Sequence, residues 1–241
     1  MNIEKFRYRI RRFNSLSIVK TIYVNFSCLP FNQAKKIPIL IGRGTVLRSL
    51  KGNIKLNGKI RFGMISIGVN NIFNSHNSYK SIIDIDGDLI FNGKVDFNAG
   101  IVLKIFKTGT VEFGNRNSIG RFSQIISQNK ISFGSCCRCS WNLYVSDTDF
   151  HFIKQKNGIV FNNVKSISIG NNCWIANNVS ISKGSIIPNN TIVASNTFVN
   201  KEFVDEYTLL AGIPAELKKN GVSQVFEAQE ENYWNKYYGW M

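Results

Sequence analysis

The sequence predicts an all-β solenoid that is preceded by a helical segment and followed by a helical tail. The main observation is an aliphatic residue at every sixth position in the C-terminal half of the chain. This series comprises Ile169, Ile175, Ile181, Ile187, Val193 and Val199. A helix repeats every 3.6 residues and a strand every 2, so neither alone produces a period of six. Short strands that turn a corner every six residues do, because each aliphatic side chain then points into a shared core.

The six-residue interval extends upstream in other registers. Three further runs keep it, namely Ile83, Leu89, Val95 and Ile101, then Phe113, Ile119, Ile125 and Ile131, then Phe133, Cys139 and Val145. Small or turn-forming residues such as Gly170 and Pro188 follow the aliphatic positions, as a sharp corner requires. We therefore assign residues 39–203 to the solenoid.

Residues 1–38 lack this interval and predict a basic amphipathic helical segment. Two sets of apolar residues have helical spacing there, Phe6, Ile10 and Phe13, then Leu16, Val19, Tyr23 and Phe26. Lys and Arg residues surround them. The segment either covers the open end of the solenoid or contacts an anionic membrane surface, and the two roles are compatible.

Residues 204–241 form the predicted tail, in which the repeat ends and aromatic residues accumulate. These aromatic residues are Phe226, Tyr233, Trp234, Tyr237, Tyr238 and Trp240. We expect a helix that packs on the flank of the solenoid or on a neighbouring subunit. An aromatic platform for a sugar is the alternative.

Composition indicates one large globular domain that favours anionic partners, but it does not identify the partner. The 241 residues are 44% hydrophobic, which is enough for one large domain. Thirty Lys and Arg against fifteen Asp and Glu give a net charge of +15, which favours anionic partners. No nucleic-acid-binding module is recognisable, so we expect no nucleic acid.

Location and redox state follow from what the sequence lacks. We find no secretory signal peptide and no apolar run long enough to span a bilayer. The five cysteines have no disulfide-framework spacing, so free thiols in a reducing compartment are expected. The expected location is cytoplasmic, with the inner face of the membrane as a further possibility.

One histidine is a candidate catalytic residue because of where it lies. His151 follows the end of the third run at Val145, and polar residues 152–166 then interrupt the repeat. Interruptions of a solenoid are loops, and loops on a rigid scaffold carry function. Asp147 and Asp149 precede the histidine, and a carboxylate beside an imidazole can fix its tautomer and stabilise the imidazolium. Which of the two carboxylates does so stays open.

No metal site is expected. Cys136 and Cys139 are spaced C-x-x-C, but zinc would need two further ligands, and neither a second pair nor a nearby histidine is present. His76 lies far from any motif, and we expect it to be structural or at the surface.

The stretch 169–219 reads IGNNCWIANNVSISKGSIIPNNTIVASNTFVNKEFVDEYTLLAGIPAELKK. It resembles the hexapeptide-repeat acyltransferases, in particular their sugar O-acetyltransferase branch, through IGNNCWIA, the hexads, VNK and AGIPA. The likeness covers roughly residues 39–219. The N-terminal segment and LPFNQAKKIPILI look like the bacterial surface-polysaccharide acetyltransferases.

This resemblance implies a left-handed parallel β-helix, usually a homotrimer, with acetyl-CoA as acyl donor in a groove between subunits. It implies that the loop histidine, His151, is the general base, assisted by Asp149 or Asp147. It also implies a donor site formed by Trp174, Asn177, Ala194, Ser195, Asn200, Lys201, Pro214, Lys218 and Lys219. Asn142 and Tyr144 are expected to meet the substrate, and Asn142 and Asn177 are candidate oxyanion donors. Glu216 departs from the family pattern, which usually has a basic residue there.

The resemblance implies O-acetylation of a sugar hydroxyl in a bacterial surface polysaccharide or its precursor. Alternatives are a small non-sugar or amine acceptor, and a solenoid that binds or scaffolds without catalysis. A γ-class carbonic anhydrase needs three histidines per zinc, and the chain has two. An acyl-cysteine mechanism needs a thiol next to a base, and no cysteine lies beside a histidine in the sequence.

Overall fold

The computed structural model describes residues 14–69 and 79–239. Phe6, Ile10, Phe13, His76 and Trp240 lie outside the described residues. Three sheets make up most of the fold, and every third strand along the chain belongs to the same sheet. The chain therefore turns three corners per coil and builds a triangular prism, which confirms the predicted left-handed parallel β-helix.

The strands of the three sheets stack in chain order. The nine-stranded sheet contains β1 (Ile39–Ile41), β4 (Ile65–Ile67), β7 (Val95–Phe97), β10 (Asn117–Ile119), β13 (Arg138–Cys139), β16 (Trp174–Ile175), β19 (Ile192–Val193), β21 (Thr208–Ala211) and β22 (Glu216–Asn220). The seven-stranded sheet contains β2 (Thr45–Leu50), β5 (Ser81–Ile85), β8 (Val102–Ile105), β11 (Gln124–Ser127), β14 (Tyr144–Ser146), β17 (Ser180–Ser182) and β20 (Phe198–Val199). The six-stranded sheet contains β3 (Asn53–Leu56), β6 (Asp88–Phe91), β9 (Thr110–Phe113), β12 (Lys130–Phe133), β15 (Ile167–Ile169) and β18 (Ile186–Ile187).

Coil length explains the register of the sequence repeat. Near the C-terminal end Ile175 pairs with Val193, eighteen residues on, so each coil holds three hexads. Ile125 pairs with Val145, twenty residues on. The two additional residues fall in strands such as β12, where both Ile131 and Phe133 point inward and are buried. The third run is shifted for this reason.

The core is a ladder of apolar side chains, one layer per coil. The six aliphatic residues from Ile169 to Val199 are each at most 2% exposed. In the lower coils Phe91, Phe113 and Phe133 stack along the axis, with ring centroids 5.8 and 4.8 Å apart. Burial of this column is the main stabilising term of the prism.

Two helices cover the N-terminal end of the prism, α1 (Ile18–Cys28) and α2 (Phe31–Ala34). The side of α1 that faces the prism is partly polar. Asn25 Nδ2 donates to the Ile39 carbonyl at 2.7 Å, and its Oδ1 accepts from the Ile39 N–H at 3.1 Å. Thr21 Oγ1 accepts from the Ile41 N–H at 3.0 Å. These side chains hydrogen-bond the backbone N–H and C=O groups at the open edge of β1, as a neighbouring strand would.

The predicted apolar stripe of α1 therefore faces outward. Val19, Tyr23 and Phe26 are 78%, 56% and 47% exposed, whereas Thr21, Val24 and Asn25 are buried. Helical spacing identified the helix correctly, but it did not identify the side that packs on the prism.

The tail begins with two strands before its helix, α3 (Ala228–Tyr237). β21 continues the nine-stranded sheet in parallel with β19, and β22 returns antiparallel to it. Arg138 then holds the tail on this sheet through Glu231 and the Phe226 carbonyl. The sheet thus extends beyond residue 203, where the hexads end.

Within the described residues, none of the helices has the length and apolar character needed to cross a membrane.

Candidate functional site

An arm of residues 147–166 projects from the prism where the repeat is interrupted. It leaves at the corner between the seven- and six-stranded sheets, which we call the arm corner. Its two sides pair antiparallel through Thr148 with Val164 and Lys154 with Val160. The predicted loop, residues 152–166, forms most of this arm.

Asp147 fixes the base of the arm. Its carboxylate is fully buried and accepts hydrogen bonds from Ser127 Oγ at 2.7 Å, the Gln128 N–H at 2.7 Å and the Asn129 N–H at 2.9 Å. Three donors satisfy a carboxylate that would otherwise be costly to bury. Asp147 therefore ties the arm to the coil below.

Asp149 fixes the next part of the arm to the coil above. Lys183 Nζ lies 2.6 Å from Asp149 Oδ2, and it also donates to the Asn162 carbonyl on the other side of the arm at 2.8 Å. The Phe150 ring packs against Phe106 with centroids 6.2 Å apart. Lys183 was not among the predicted site residues, although its place in the turn after β17 puts it at the arm corner.

His151 is exposed on this arm, and its backbone N–H donates to the Asp149 carbonyl at 2.7 Å. Among the described residues, no side chain hydrogen-bonds its imidazole. The expected contact between the imidazole and the carboxylate of Asp147 or Asp149 is not formed. The Asp147 carboxylate instead accepts hydrogen bonds from Ser127, Gln128 and Asn129. The Asp149 carboxylate forms an ion pair with Lys183. The imidazole is accessible to an incoming hydroxyl.

A groove of about 400 Å³ lies on the outer face of the seven-stranded sheet. Tyr144, Ser180 and Phe198 line it from successive coils, and Ile213 closes one side. The Phe198 N–H donates to the Gly212 carbonyl at 3.0 Å and the Ala215 N–H to the Phe198 carbonyl at 2.7 Å, so the AGIPA segment is held against β20. Pro214, which follows a cis peptide bond, lies in this segment. The groove thus brings the predicted Tyr144 and the AGIPA segment together.

Asparagines form the corner between the nine- and seven-stranded sheets, which we call the asparagine corner. Asn142, Asn178 and Asn196 all have left-handed φ angles, 57°, 59° and 59°, which asparagine tolerates better than most residues. Asn142 Nδ2 donates to Asn178 Oδ1 and Asn178 Nδ2 to Asn196 Oδ1, each at 3.0 Å. The rigid corner that results forms one edge of the groove.

The predicted donor-site residues Asn177 and Ser195 lie at the same corner. Ser195 Oγ donates to Asn177 Oδ1 at 2.7 Å. In the part of the chain that the structure describes, no group accepts from Asn177 Nδ2, so this amide can donate to a substrate. Ala194, which precedes Ser195, is half-buried.

Trp174 lies on the other side of the asparagine corner, in β16 of the nine-stranded sheet, and is 42% exposed. The whole seven-stranded sheet separates it from the arm corner, where His151 projects. One chain therefore presents these two predicted residues on different sides of the prism.

Four further predicted donor-site residues lie near the C-terminal end of the prism and are exposed. Asn200 and Lys201 follow β20, whereas Lys218 and Lys219 lie in β22. Lys218 Nζ is 2.7 Å from Glu216 Oε2, and this contact lowers the pKa of the Glu216 carboxyl. Glu216 thus neutralises part of the positive charge there.

All five cysteines are free thiols. Cys137 and Cys139 are buried in the core, and burial raises the pKa of Cys139 far above its usual range. Among residues 14–69 and 79–239, no cluster of three His, Cys, Asp or Glu side chains could hold a metal ion.

The chain is similar to known proteins in sequence and in fold. No protein-family model matches the chain. It is 31% identical over 207 residues to an uncharacterised 24.8 kDa protein in the cps region of Klebsiella pneumoniae, across 84% of this chain and 88% of that protein. It is 32% identical over 89 residues to the polysialic acid O-acetyltransferase of Neisseria meningitidis, across 36% of this chain and 41% of that enzyme. The polySia-specific acetyltransferase NeuO has the same fold, with a TM-score of 0.51, 19% identity, and coverage of 82% of this chain and 91% of that one.

The chain therefore belongs to one family with the Klebsiella cps-region protein, and it has the coiled β-helix fold of NeuO. The resemblance to the hexapeptide-repeat acyltransferases is confirmed at the level of the fold.

Proposed function

We propose that this protein is an acetyl-CoA-dependent O-acetyltransferase that acts on a sugar hydroxyl of a bacterial surface polysaccharide or its precursor, in the cytoplasm. The single observation that carries the proposal is an accessible histidine on an arm that is fixed at both Asp147 and Asp149. The Neisseria relative is an O-acetyltransferase of polysialic acid, and the Klebsiella relative comes from a cps region. Both support a polysaccharide acceptor.

The reaction is a direct acyl transfer. His151 takes the proton of the acceptor hydroxyl. At the same time the hydroxyl oxygen attacks the thioester carbonyl of acetyl-CoA, and a C–O bond forms. The C–S bond then breaks, and the imidazolium returns the proton to the leaving thiolate. The products are the sugar ester and CoA, so His151 ends as it began.

Two groups at the asparagine corner are suited to the charge that develops on the carbonyl oxygen. Asn177 Nδ2 is oriented by the hydrogen bond that Asn177 Oδ1 accepts from Ser195. Preorganised donors of this kind stabilise an oxyanion without reorganisation. Asn142 is the second candidate, but one of its amide hydrogens already serves the Asn178 contact.

The groove beside this corner is the proposed binding site for the donor's pantetheine arm. Its apolar wall of Tyr144, Phe198 and Ile213 suits an extended chain. Beyond the groove, towards the C-terminal end of the prism, Pro214 and Asn200 continue the proposed CoA site. The ammonium groups of Lys201, Lys218 and Lys219 are available there for the phosphates of CoA.

We further propose a homotrimer, in which the arm of one chain meets the Trp174 side of the next. This proposal rests on the separation of His151 and Trp174 by the seven-stranded sheet. A site that contains both residues then requires two chains.

The proposed Asp149 role is to position His151 rather than to touch it. Its carboxylate holds Lys183, and its carbonyl accepts the His151 N–H, so both ends of Asp149 restrain the histidine backbone. Asp147 restrains the same segment from the coil below.

The test is release of CoA from acetyl-CoA in the presence of nucleotide sugars, lipid-linked glycans or finished polysaccharide, followed with a thiol reagent. We expect His151→Ala to lower turnover about 10²–10⁴-fold, the usual contribution of a general base. Asn157→Ala, at the exposed tip of the same arm, is the control and should retain activity. Full turnover in His151→Ala would refute the assignment, and transfer only to amino sugars would identify an N-acyltransferase instead.

A further inference from the structure

The side of α1 that faces away from the prism is a continuous apolar surface. Its members are Ile18, Val19, Ile22, Tyr23 and Phe26, which are 64%, 78%, 50%, 56% and 47% exposed. Their spacing of one, three, one and three residues places them on one side of the helix. Phe31, at the start of α2, is 72% exposed, and its ring lies 6.2 Å from that of Phe26. Scattered apolar residues at a surface are ordinary, but a contiguous set indicates an interaction surface.

The orientation of α1 is fixed by hydrogen bonds to β1 and by the burial of Val24 in the core. Turning its apolar side inward would withdraw Thr21 and Asn25 from β1. The N–H groups of Ile39 and Ile41 and the Ile39 carbonyl would then lose their partners at a sheet edge. The exposed apolar side is therefore a stable property of the folded chain.

The positive charge of the protein is concentrated in the N-terminal third of the sequence, which includes α1. Residues 5–83 contain no Asp or Glu and fifteen of the thirty Lys and Arg. The rest of the chain holds the other fifteen basic residues and all fifteen acidic ones, so its net charge is zero and the whole +15 belongs to residues 5–83. Lys35 and Lys36, which follow α2, are exposed, and so is Arg43, whose Nε donates to the Leu16 carbonyl just before α1.

We propose that this end of the prism binds the surface of an anionic lipid bilayer, with α1 lying in the plane of the interface. The apolar side chains of α1 would enter the boundary between headgroups and acyl chains, and the surrounding Lys and Arg side chains would meet the lipid phosphates. An apolar surface within a strongly basic region fits this partner better than nucleic acid, because a polyanion alone offers no apolar layer. The proposal does not depend on the proposed acetyltransfer.

The experiment uses the full chain and two kinds of vesicle, phosphatidylcholine alone and phosphatidylcholine mixed with phosphatidylglycerol, in a co-sedimentation assay. We expect binding to the anionic vesicles only, and weaker binding as salt is raised. Failure of the full chain to bind the anionic vesicles would overturn the proposal.

A matched pair of variants tests the surface itself. Val19→Asp lies on α1 and Val204→Asp lies at the other end of the prism, and the two valines are 78% and 84% exposed. Neither change should lower the thermal unfolding temperature, since neither side chain is buried. We expect Val19→Asp to weaken vesicle binding roughly tenfold or more and Val204→Asp to leave it unchanged.

Two results would contradict the proposal. Equal vesicle binding by the two variants would show that α1 does not contact lipid. A fall in particle mass in Val19→Asp without lipid, measured by light scattering, would show that a second copy of the chain occupies this surface.

Discussion

Lys183 bridges the two sides of the arm: its ammonium lies 2.6 Å from Asp149 Oδ2 and donates to the Asn162 carbonyl at 2.8 Å. The lysine belongs to the coil above the arm, so one side chain fixes both sides of the arm at the same height. His151, two residues beyond Asp149, is thereby held at a defined place relative to the groove.

Removal of this bridge should impair catalysis more than folding. We expect Lys183→Met to lower kcat roughly tenfold or more, because small displacements of a catalytic group are costly. Stability should change by less than about 1 kcal/mol, as is usual for a partly exposed ion pair. Lys165→Met, which removes the exposed pair with Glu202 at the same corner, is the control and should affect neither quantity. Equal kcat values in the two variants would show that Lys183 does not position His151.

Replacement of Asp147 should lower the free energy of unfolding, because the carboxylate has a structural role in the arm. Asp147→Asn places an NH₂ group against donors that now serve a carboxylate, namely Ser127, Gln128 and Asn129. We expect a loss of about 1–3 kcal/mol in the free energy of unfolding, measured with urea. A variant with unchanged stability and a large loss of kcat would instead give Asp147 a direct role in the reaction.

A site shared between chains predicts complementation. His151→Ala lacks the proposed base and Ser195→Trp blocks the asparagine corner, so each variant alone should have little activity. Co-expressed chains form mixed assemblies, in which an intact arm meets an intact corner at some interfaces, and we expect part of the activity to return. Mixed assemblies that are verified by mass and remain inactive would favour a site within one chain.

The thiols should differ in reactivity because they differ in burial. Burial raises the pKa of Cys139, so at pH 8 its thiolate is scarce, and the closed core also excludes reagents. We expect iodoacetamide to modify the half-buried Cys136 in the native protein and to modify Cys139 only after unfolding. Peptide mass spectrometry distinguishes them. Rapid labelling of native Cys139 would show that the coil opens readily.

The coils could be predicted because their geometry imposes a period on the sequence. Each coil needs an inward side chain on each of three sides, and Ile175 and Ile181 repeat at six for that reason. The arm was recognisable as a gap in that period, and His151 as the histidine beside it. Its supports were less visible, because Lys183 reaches Asp149 across 34 positions of sequence.

Two features departed from the sequence pattern for physical reasons. The strand β21 was missed because Val193 pairs with Leu210, seventeen residues on, which breaks the hexad count by one. The orientation of α1 was missed because an amphipathic pattern does not show hydrogen bonds to a sheet edge. Asn25 faces the prism because it hydrogen-bonds the edge of β1, and Tyr23 is left exposed. At α1, hydrogen bonding at the end of the solenoid outweighed the hydrophobic period.

The two ends of the arm lie next to each other, and this determines which changes in its length the coils can tolerate. The Lys165 N–H donates to the Asp147 carbonyl at 3.0 Å, so the chain leaves and re-enters the prism at nearly one point. Ile131 pairs with Ile167, thirty-six residues on, which is twice the eighteen of an uninterrupted coil, yet the strands on both sides keep their stacking. Insertions and deletions within the arm therefore leave the coils in register. In the proposed acetyltransferase, the length and tip of the arm could therefore change acceptor preference while the scaffold and the groove are inherited intact.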